Sequence, residues 1–367
     1  MISRLRTLDP WLFVLPLVLM VVSVLMIYSL DPVAPLALRQ LVYAGVGVVA
    51  LLVAGFIDYR AVAAWSGWLF AANLFLLALV PFIGSRQFGA KLWINVGPVQ
   101  FEPGELMKLT AILLIARLAS RSPSVSNRQF IVVSAVVLVS VGAIILQPDL
   151  GTALIILAST VGILLQSGTT RLQKGMVVGS LLVGAVIFSL SFANVPPFKH
   201  VLKEYQKDRL ASFIQPARDP SGTGYNVLQS VIAVGSGGVS GQGLGNGSQS
   251  QLNFLPVAHA DFIFAVIGET WGLVGTWGIL IVYLVFVLRI LQAARIAKDR
   301  FGMLLCVGIA VKFTFEILVN IGMNMRLMPV TGIPLPFLSY GGTTMLTNAL
   351  ATGLVQSVAL RYKRLTF

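Results

Sequence analysis

The sequence predicts an all-α polytopic membrane protein with about ten transmembrane helices, and three observations carry that prediction. Of the 367 residues, 57% are apolar and only 11% charged, with a mean hydropathy of +0.89, outside the range of soluble domains. Ten apolar segments recur, most of them near the roughly 20 residues that a spanning helix needs. With the amino terminus cytoplasmic, fifteen Lys and Arg fall on the cytoplasmic side and only Arg39, Arg86, Lys91 and Arg326 in short outer loops. That bias puts both termini in the cytoplasm.

The segments run in order. The first, 11–30, is followed by Asp31-Pro32 rather than a small-residue cleavage site, so a retained helix is expected. Segments 37–57 and 62–83 follow, then a Gly- and Pro-containing outer stretch at 84–104. The fourth, 105–119, is short. The fifth and sixth, 129–147 and 149–167, are parted by little more than Gln147-Pro148-Asp149. The seventh is 175–193, and after the loop come 260–288, 301–323 and 338–360. The whole chain, 1–367, is read as one transmembrane domain with a single large extracytoplasmic loop at 194–258. In that loop Phe198, Val201, Leu202, Tyr205 and Phe213 recur at helical spacing, which predicts an interfacial amphipathic helix, or a loop helix packed on the bundle. From 235 to 247 runs GSGGVSGQGLGNG, whose seven glycines either bend closely around something or stay mobile.

Cys306 is the one cysteine, so no intrachain disulfide or cysteine metal site exists. The net charge of +13 is mostly a topology signal with attraction to anionic lipid. Bases spread over several loops argue against nucleic acid as a partner.

Seven ionisable residues fall within or at the mouths of the segments: Glu105, Lys108, Asp149, Asp261, Glu269, Lys312 and Glu316. Facing lipid near the midplane, they would cost on the order of 20 kcal/mol at roughly 3 kcal/mol each. They must face the bundle interior, a water-filled cavity or the interface. Glu105 and Lys108 are three apart, and Lys312, Glu316 and Asn320 four apart, so each set shares a helix face. Self-neutralising pairs that fix helix packing account for them as well as function does. Asp149 and Asp261 each precede a helix, and capping alone explains both. Glu269 lies deeper, without a partner in its own helix. Asp261 stands at the outer face, beside His259 and a Gly-rich loop, where an amphiphile can enter from the outer leaflet. A partly desolvated carboxylate there suits a general base.

Four stretches carry a resemblance: GPVQFEPGELMKL at 97–109, QPDLGTALI at 147–155, the run from DPSGTGYNVLQS through GSQSQLNFLPVAHADFIFAVIGETWGLVG at 219–275, and NIGMNMRLMPVTGIPLPFLSYGG at 320–342. The chain resembles the SEDS family (shape, elongation, division and sporulation proteins), in its RodA-like elongation branch. The resemblance implies a peptidoglycan glycosyltransferase that polymerises lipid II into glycan strands at the outer face of the cytoplasmic membrane. It implies Asp261 as the catalytic residue and places Glu105 and Lys108 at a central cavity. Lys91, Lys108 and Arg209 are expected as pyrophosphate or headgroup contacts, and His259 and Glu269 as further substrate contacts. A divalent cation, Mg or Mn with unassigned ligands, is expected. So are a class B penicillin-binding protein (the transpeptidase) and elongation-complex membrane proteins as partners. Leu92, Gly104, Val257, Ala260 and Thr270 depart from the family pattern. Two other readings compete: a lipid II flippase, and a scaffold that only activates its partner.

Overall fold

The computed structural model describes residues 9–30, 35–87, 90–97, 99–147, 149–200, 202–215, 222–252 and 254–362. Asp31, Pro32, Pro148 and Val201 lie outside them, as does the start of the 219–275 stretch. A helix answers each of the ten apolar segments: α1 (Trp11–Leu30), α2 (Leu36–Phe56), α3 (Tyr59–Ile83), α4 (Pro103–Ala119), α5 (Asn127–Leu146), α6 (Leu150–Gln166), α7 (Arg171–Phe192), α11 (Ile263–Ile296), α12 (Arg300–Asn324) and α13 (Gly342–Leu360). Among the described residues seven of these, α1, α2, α3, α5, α7, α11 and α12, are long and apolar enough to cross a membrane. The protein is a multi-pass membrane protein. Among the described residues three α-helices lie between α7 and α11: α8 (Glu204–Ile214), α9 (Thr223–Ser236) and the single turn α10 (Ser248–Gln251).

Helix starts follow local chemistry. Asp58 caps α3 by accepting from the Arg60 amide, and Asp299 caps α12 through the Gly302 amide at 2.8 Å. Ser126 with Gln129 and Thr170 with Gln173 form reciprocal capping boxes that satisfy otherwise orphaned amides. Burial then sorts the helices. α7 buries only Gln173 and Ser191, so its apolar surface faces lipid, whereas α4, α12 and α13 are buried on nearly every face, polar residues included.

Three features differ from the all-α expectation. Residues 84–104 hold a small antiparallel sheet, β1 (Ser85–Gln87), β2 (Ala90–Val96) and β3 (Val99–Phe101), in the order β1-β2-β3. Strands of three to seven residues are too short to stand out as apolar runs in a stretch rich in glycine and proline. The loop helix α8 begins at Glu204 and buries Gln206, Lys207 and Ser212, with Leu202 buried just ahead of it. It is tied to the segment that follows α7, with Lys207 Nζ bonded to Asn194 Oδ1 at 2.6 Å and to the Lys199 carbonyl at 2.8 Å. Finally, α11 is two helices joined at a break, Gly272, at φ 63° and ψ −157°.

The glycine run bends closely around that break. Gln242 and Gly243 amides donate to the Glu269 and Thr270 carbonyls at 2.9 and 3.0 Å, and Leu273 and Val274 amides donate back to Gly238 and Val239. Gly241 and Gly272 both have positive φ, and a β-carbon on either would collide with the other segment's backbone. Only glycine permits both the dihedral and the approach.

Candidate active site

The four charges on α4 and α12 form one network. Lys108 Nζ lies 2.7 Å from Glu105 Oε1 and 2.8 Å from Glu316 Oε1, and Lys312 Nζ lies 2.8 Å from Glu316 Oε2. Lys312 also donates to Asn348 Oδ1 on α13 at 2.6 Å. The expectation of separate pairs, one per helix, is corrected: Glu316 joins the two lysines across two helices. In a nonpolar interior each added partner offsets part of the desolvation that a lone ion would suffer.

Asn320, one turn along the same stripe, leaves the network and supports the loop segment that carries Asp261. Its Nδ2 donates to the Asp261 carbonyl at 3.1 Å and to the Ile333 carbonyl at 2.8 Å, and Asn324 adds a bond to the Asp261 carbonyl at 3.2 Å. From the other side Ser339 Oγ donates to the Ala260 carbonyl at 2.6 Å and the Tyr340 amide to the His259 carbonyl at 2.9 Å. Val257, a β-branched residue at φ 55°, sets the turn ahead of the motif. The backbone of 259–261 is thereby held while its side chains are free to face outward.

They face a cavity of about 1220 Å³ at the outer end of the bundle, lined by Asp261 and His259, by Glu102, Glu105, Lys108 and Asp149, and by Arg39 and Arg209. Asp149 caps α6 through the Thr152 amide at 3.0 Å, as capping predicts. Asp261 does not cap α11, whose N-cap is Phe262 without a side-chain bond. Its carboxyl is pushed above the usual carboxylate range by burial, and the nearby Arg209 charge opposes that rise. The two groups flank Gly332, where an added β-carbon would lie 3.8 Å from Asp261 Oδ2 and 4.0 Å from Arg209 Nη1. Burial holds the His259 imidazole below its ordinary value, so it is neutral, and its ring stands edge-on to Tyr340 at 5.4 Å.

Two expected substrate contacts are elsewhere. Lys91 does not line the cavity and donates to the Pro81 carbonyl at 3.0 Å; Leu92 and Trp93 of the same strand line it instead. Glu269 is fully buried behind the cavity, accepting from the amides of Gln249 at 2.7 Å and Ser250 at 3.0 Å. It anchors α10 to α11 and does not line the cavity. Lys108 lines the cavity, yet two carboxylates already occupy its ammonium. Of the family departures, Leu92, Val257 and Ala260 line the cavity, whereas Gly104 and Thr270 do not.

Sequence reasoning passed over Arg39, counted only as an outer-loop charge, and Glu102, noted only within a departing motif. The signal for Arg39 was a guanidinium on the side that positive charge avoids. Burial, with the negative charges of Glu105 and Asp149 adding to it, pushes the Glu102 carboxyl well above the usual range.

A sequence model of the FtsW/RodA/SpoVE family, described as cell cycle protein, matches residues 6–364. The chain belongs to this family. It is 35% identical over 365 residues to the peptidoglycan glycosyltransferase MrdB of Escherichia coli (strain K12), covering 98% of this chain and 95% of that protein. It is 33% identical over 370 residues to the stage V sporulation protein E of Bacillus subtilis (strain 168), covering 97% and 98%. Among solved structures, a chain of a peptidoglycan synthase complex described as coordinating polymerization and crosslinking superposes with a TM-score of 0.80 at 29% identity, covering 96% of this chain and 97% of that one. The crystal structure of the Thermus thermophilus rod shape determining protein RodA matches with a TM-score of 0.71 at 27% identity, covering 97% and 98%. This FtsW/RodA/SpoVE family member thus shares its fold with relatives over nearly its full length.

Proposed function

We propose that this family member is a peptidoglycan glycosyltransferase that polymerises lipid II at the outer face of the membrane, with Asp261 as general base. The observation that carries the assignment is a carboxylate on a backbone fixed from two sides, not used as a helix cap, with raised proton affinity in the wall of the outer cavity. A volume near 1220 Å³ exceeds the roughly 300–1,000 Å³ of ordinary small-ligand clefts, as a site for two sugar-bearing lipids requires.

In the reaction the acceptor sugar's hydroxyl oxygen attacks the donor's anomeric carbon while Asp261 takes its proton. The bond from that carbon to the pyrophosphate oxygen breaks, and the electron pair leaves with the lipid pyrophosphate. Arg209 and Arg39 face the same cavity and offset the charge that develops on the leaving group. Glu102 lines the same cavity with a raised proton affinity, and in its protonated form it donates to a phosphate oxygen instead of repelling it. Neutral His259 orients the acceptor.

No three His, Cys, Asp or Glu side chains gather to hold a metal among the described residues. Magnesium needs only one or two carboxylates when substrate phosphates complete its shell. The residues present fit that mode: Glu105 Oε2 is buried without a partner, and Asp149 lines the same cavity. A divalent cation bound there would neutralise pyrophosphate charge.

Polymerisation leaves strands to be crosslinked, and the proposed partner is a class B penicillin-binding protein beside other elongation-complex membrane proteins. The test is direct: the purified chain with that partner, labelled lipid II and magnesium, comparing wild type with Asp261→Asn. Glycan strands from the wild type alone are expected. Equal polymerisation by both would overturn the base assignment, and lipid II crossing vesicle membranes without strand formation would favour the flippase.

A further inference from the structure

At the opposite, cytoplasmic end of the bundle a second hollow of about 320 Å³ lies between the first turn of α3, the last turn of α4 and the start of α12. Arg60, Arg117 and Arg300 line it, with Asp299 the one acid among its lining residues. That acid is fully committed: Oδ1 accepts from the Gly302 amide at 2.8 Å, and Oδ2 from the Tyr59 hydroxyl at 2.6 Å and Arg60 Nε at 2.8 Å.

The other two guanidiniums are positioned by carbonyls. Arg117 Nη1 donates to the Ala64 carbonyl at 2.9 Å, and Arg300 Nη2 to the Ser167 carbonyl at 2.8 Å. Arg300 Nε is buried and finds no acceptor among the described residues. Three fixed positive charges against one negative, with a buried donor unsatisfied, call for an external anion that brings several acceptor oxygens. A phosphate matches the planar forks of arginine.

The place in the membrane identifies the source. On α3, Trp65 and Trp68 are 63% and 73% exposed, five and eight residues beyond Arg60, and exposed tryptophans mark headgroup depth. The hollow thus opens at the level of the cytoplasmic-leaflet phosphates, where basic pockets between helix ends take anionic headgroups. We propose that this hollow binds the phosphodiester of an anionic phospholipid from the cytoplasmic leaflet, with Arg300, Arg117 and Arg60 facing its oxygens. Bound there, the lipid ties together the inner ends of α3, α4 and α12. The charged network beneath the cavity sits on two of these helices, so the lipid steadies the site from below.

The test follows thermal unfolding of the full chain in a neutral detergent. Short-chain phosphatidylglycerol, short-chain phosphatidylcholine and inorganic phosphate are titrated separately, since a ligand of the folded state raises Tm. Phosphatidylglycerol is expected to raise Tm at concentrations where the other two do not. Arg300→Gln should raise the concentration needed by about tenfold or more, the worth of one hydrogen bond to a charged group. Ala63→Glu, which adds a carboxylate to the hollow and leaves the arginines' own bonds in place, should do the same and decides the matter if Arg300→Gln does not fold. Both variants responding like wild type would overturn the proposal. A phosphatidylcholine response equal to that of phosphatidylglycerol would also overturn it, and an equal response to inorganic phosphate would overturn the lipid as the source.

Discussion

Replacing Glu316 by Gln tests the charged network most sharply, because Glu316 is the carboxylate that joins the lysine of α4 to the lysine of α12. In the wild type two carboxylates meet two ammoniums, all essentially buried. The substitution leaves Lys108 with Glu105 and Lys312 with only the neutral Asn348 Oδ1, one uncompensated positive charge in the core. At 2.8 Å and an effective dielectric near 20, each lost contact is about 6 kcal/mol before desolvation is counted. Desolvation offsets most of this, and breaking one side of a buried ion pair typically costs about 3–5 kcal/mol. Unfolding the purified chain by denaturing detergent should show a loss of that size. The double variant Glu316→Gln with Lys312→Met restores neutrality and should recover most of it. A single-variant loss under about 1 kcal/mol, or a double variant no better than the single, would refute the argument that charge balance holds α4 against α12.

Asp261→Asn should lower the turnover of lipid II polymerisation by about 10²–10⁴-fold, the usual worth of a general base, with little change in donor KM. Since burial raises the Asp261 pKa and Arg209 lowers it, the acid limb of the pH–rate profile lies above that of an ordinary aspartate. Removing the positive charge in Arg209→Gln should move that limb to still higher pH; a downward shift would contradict the electrostatic reading. Glu269→Gln cannot accept equally well from both the Gln249 and Ser250 amides, and leaving one buried donor unpaired should cost about 1–3 kcal/mol, visible as a lower Tm without a change in the pH profile. Gly272→Ala forces a β-carbon into the glycine run at a positive φ and should abolish accumulation of folded protein, whereas Gly175→Ala, with open space around it, should be silent.

Much of the architecture is legible in the chain itself, because membrane burial writes a long, strong signal. Every apolar segment has its helix, and the capping residues Ser126, Thr170 and Asp149 act as their types and spacings imply. Sequence position and family resemblance singled out Asp261, Arg209 and Lys108, and the three line one cavity. Spacing along one helix reports only which residues share a face, and there it stopped. Which face meets which is settled by packing: α4 and α12 come together so that Glu316 takes two lysines, and α11 breaks at Gly272 to receive the glycine run. The same packing turned Glu269 away from the cavity and Arg39 into it. A carboxylate's role depends on its partners in space, and Glu316 meets Lys108 from 208 residues away in the chain, beyond the reach of any local pattern.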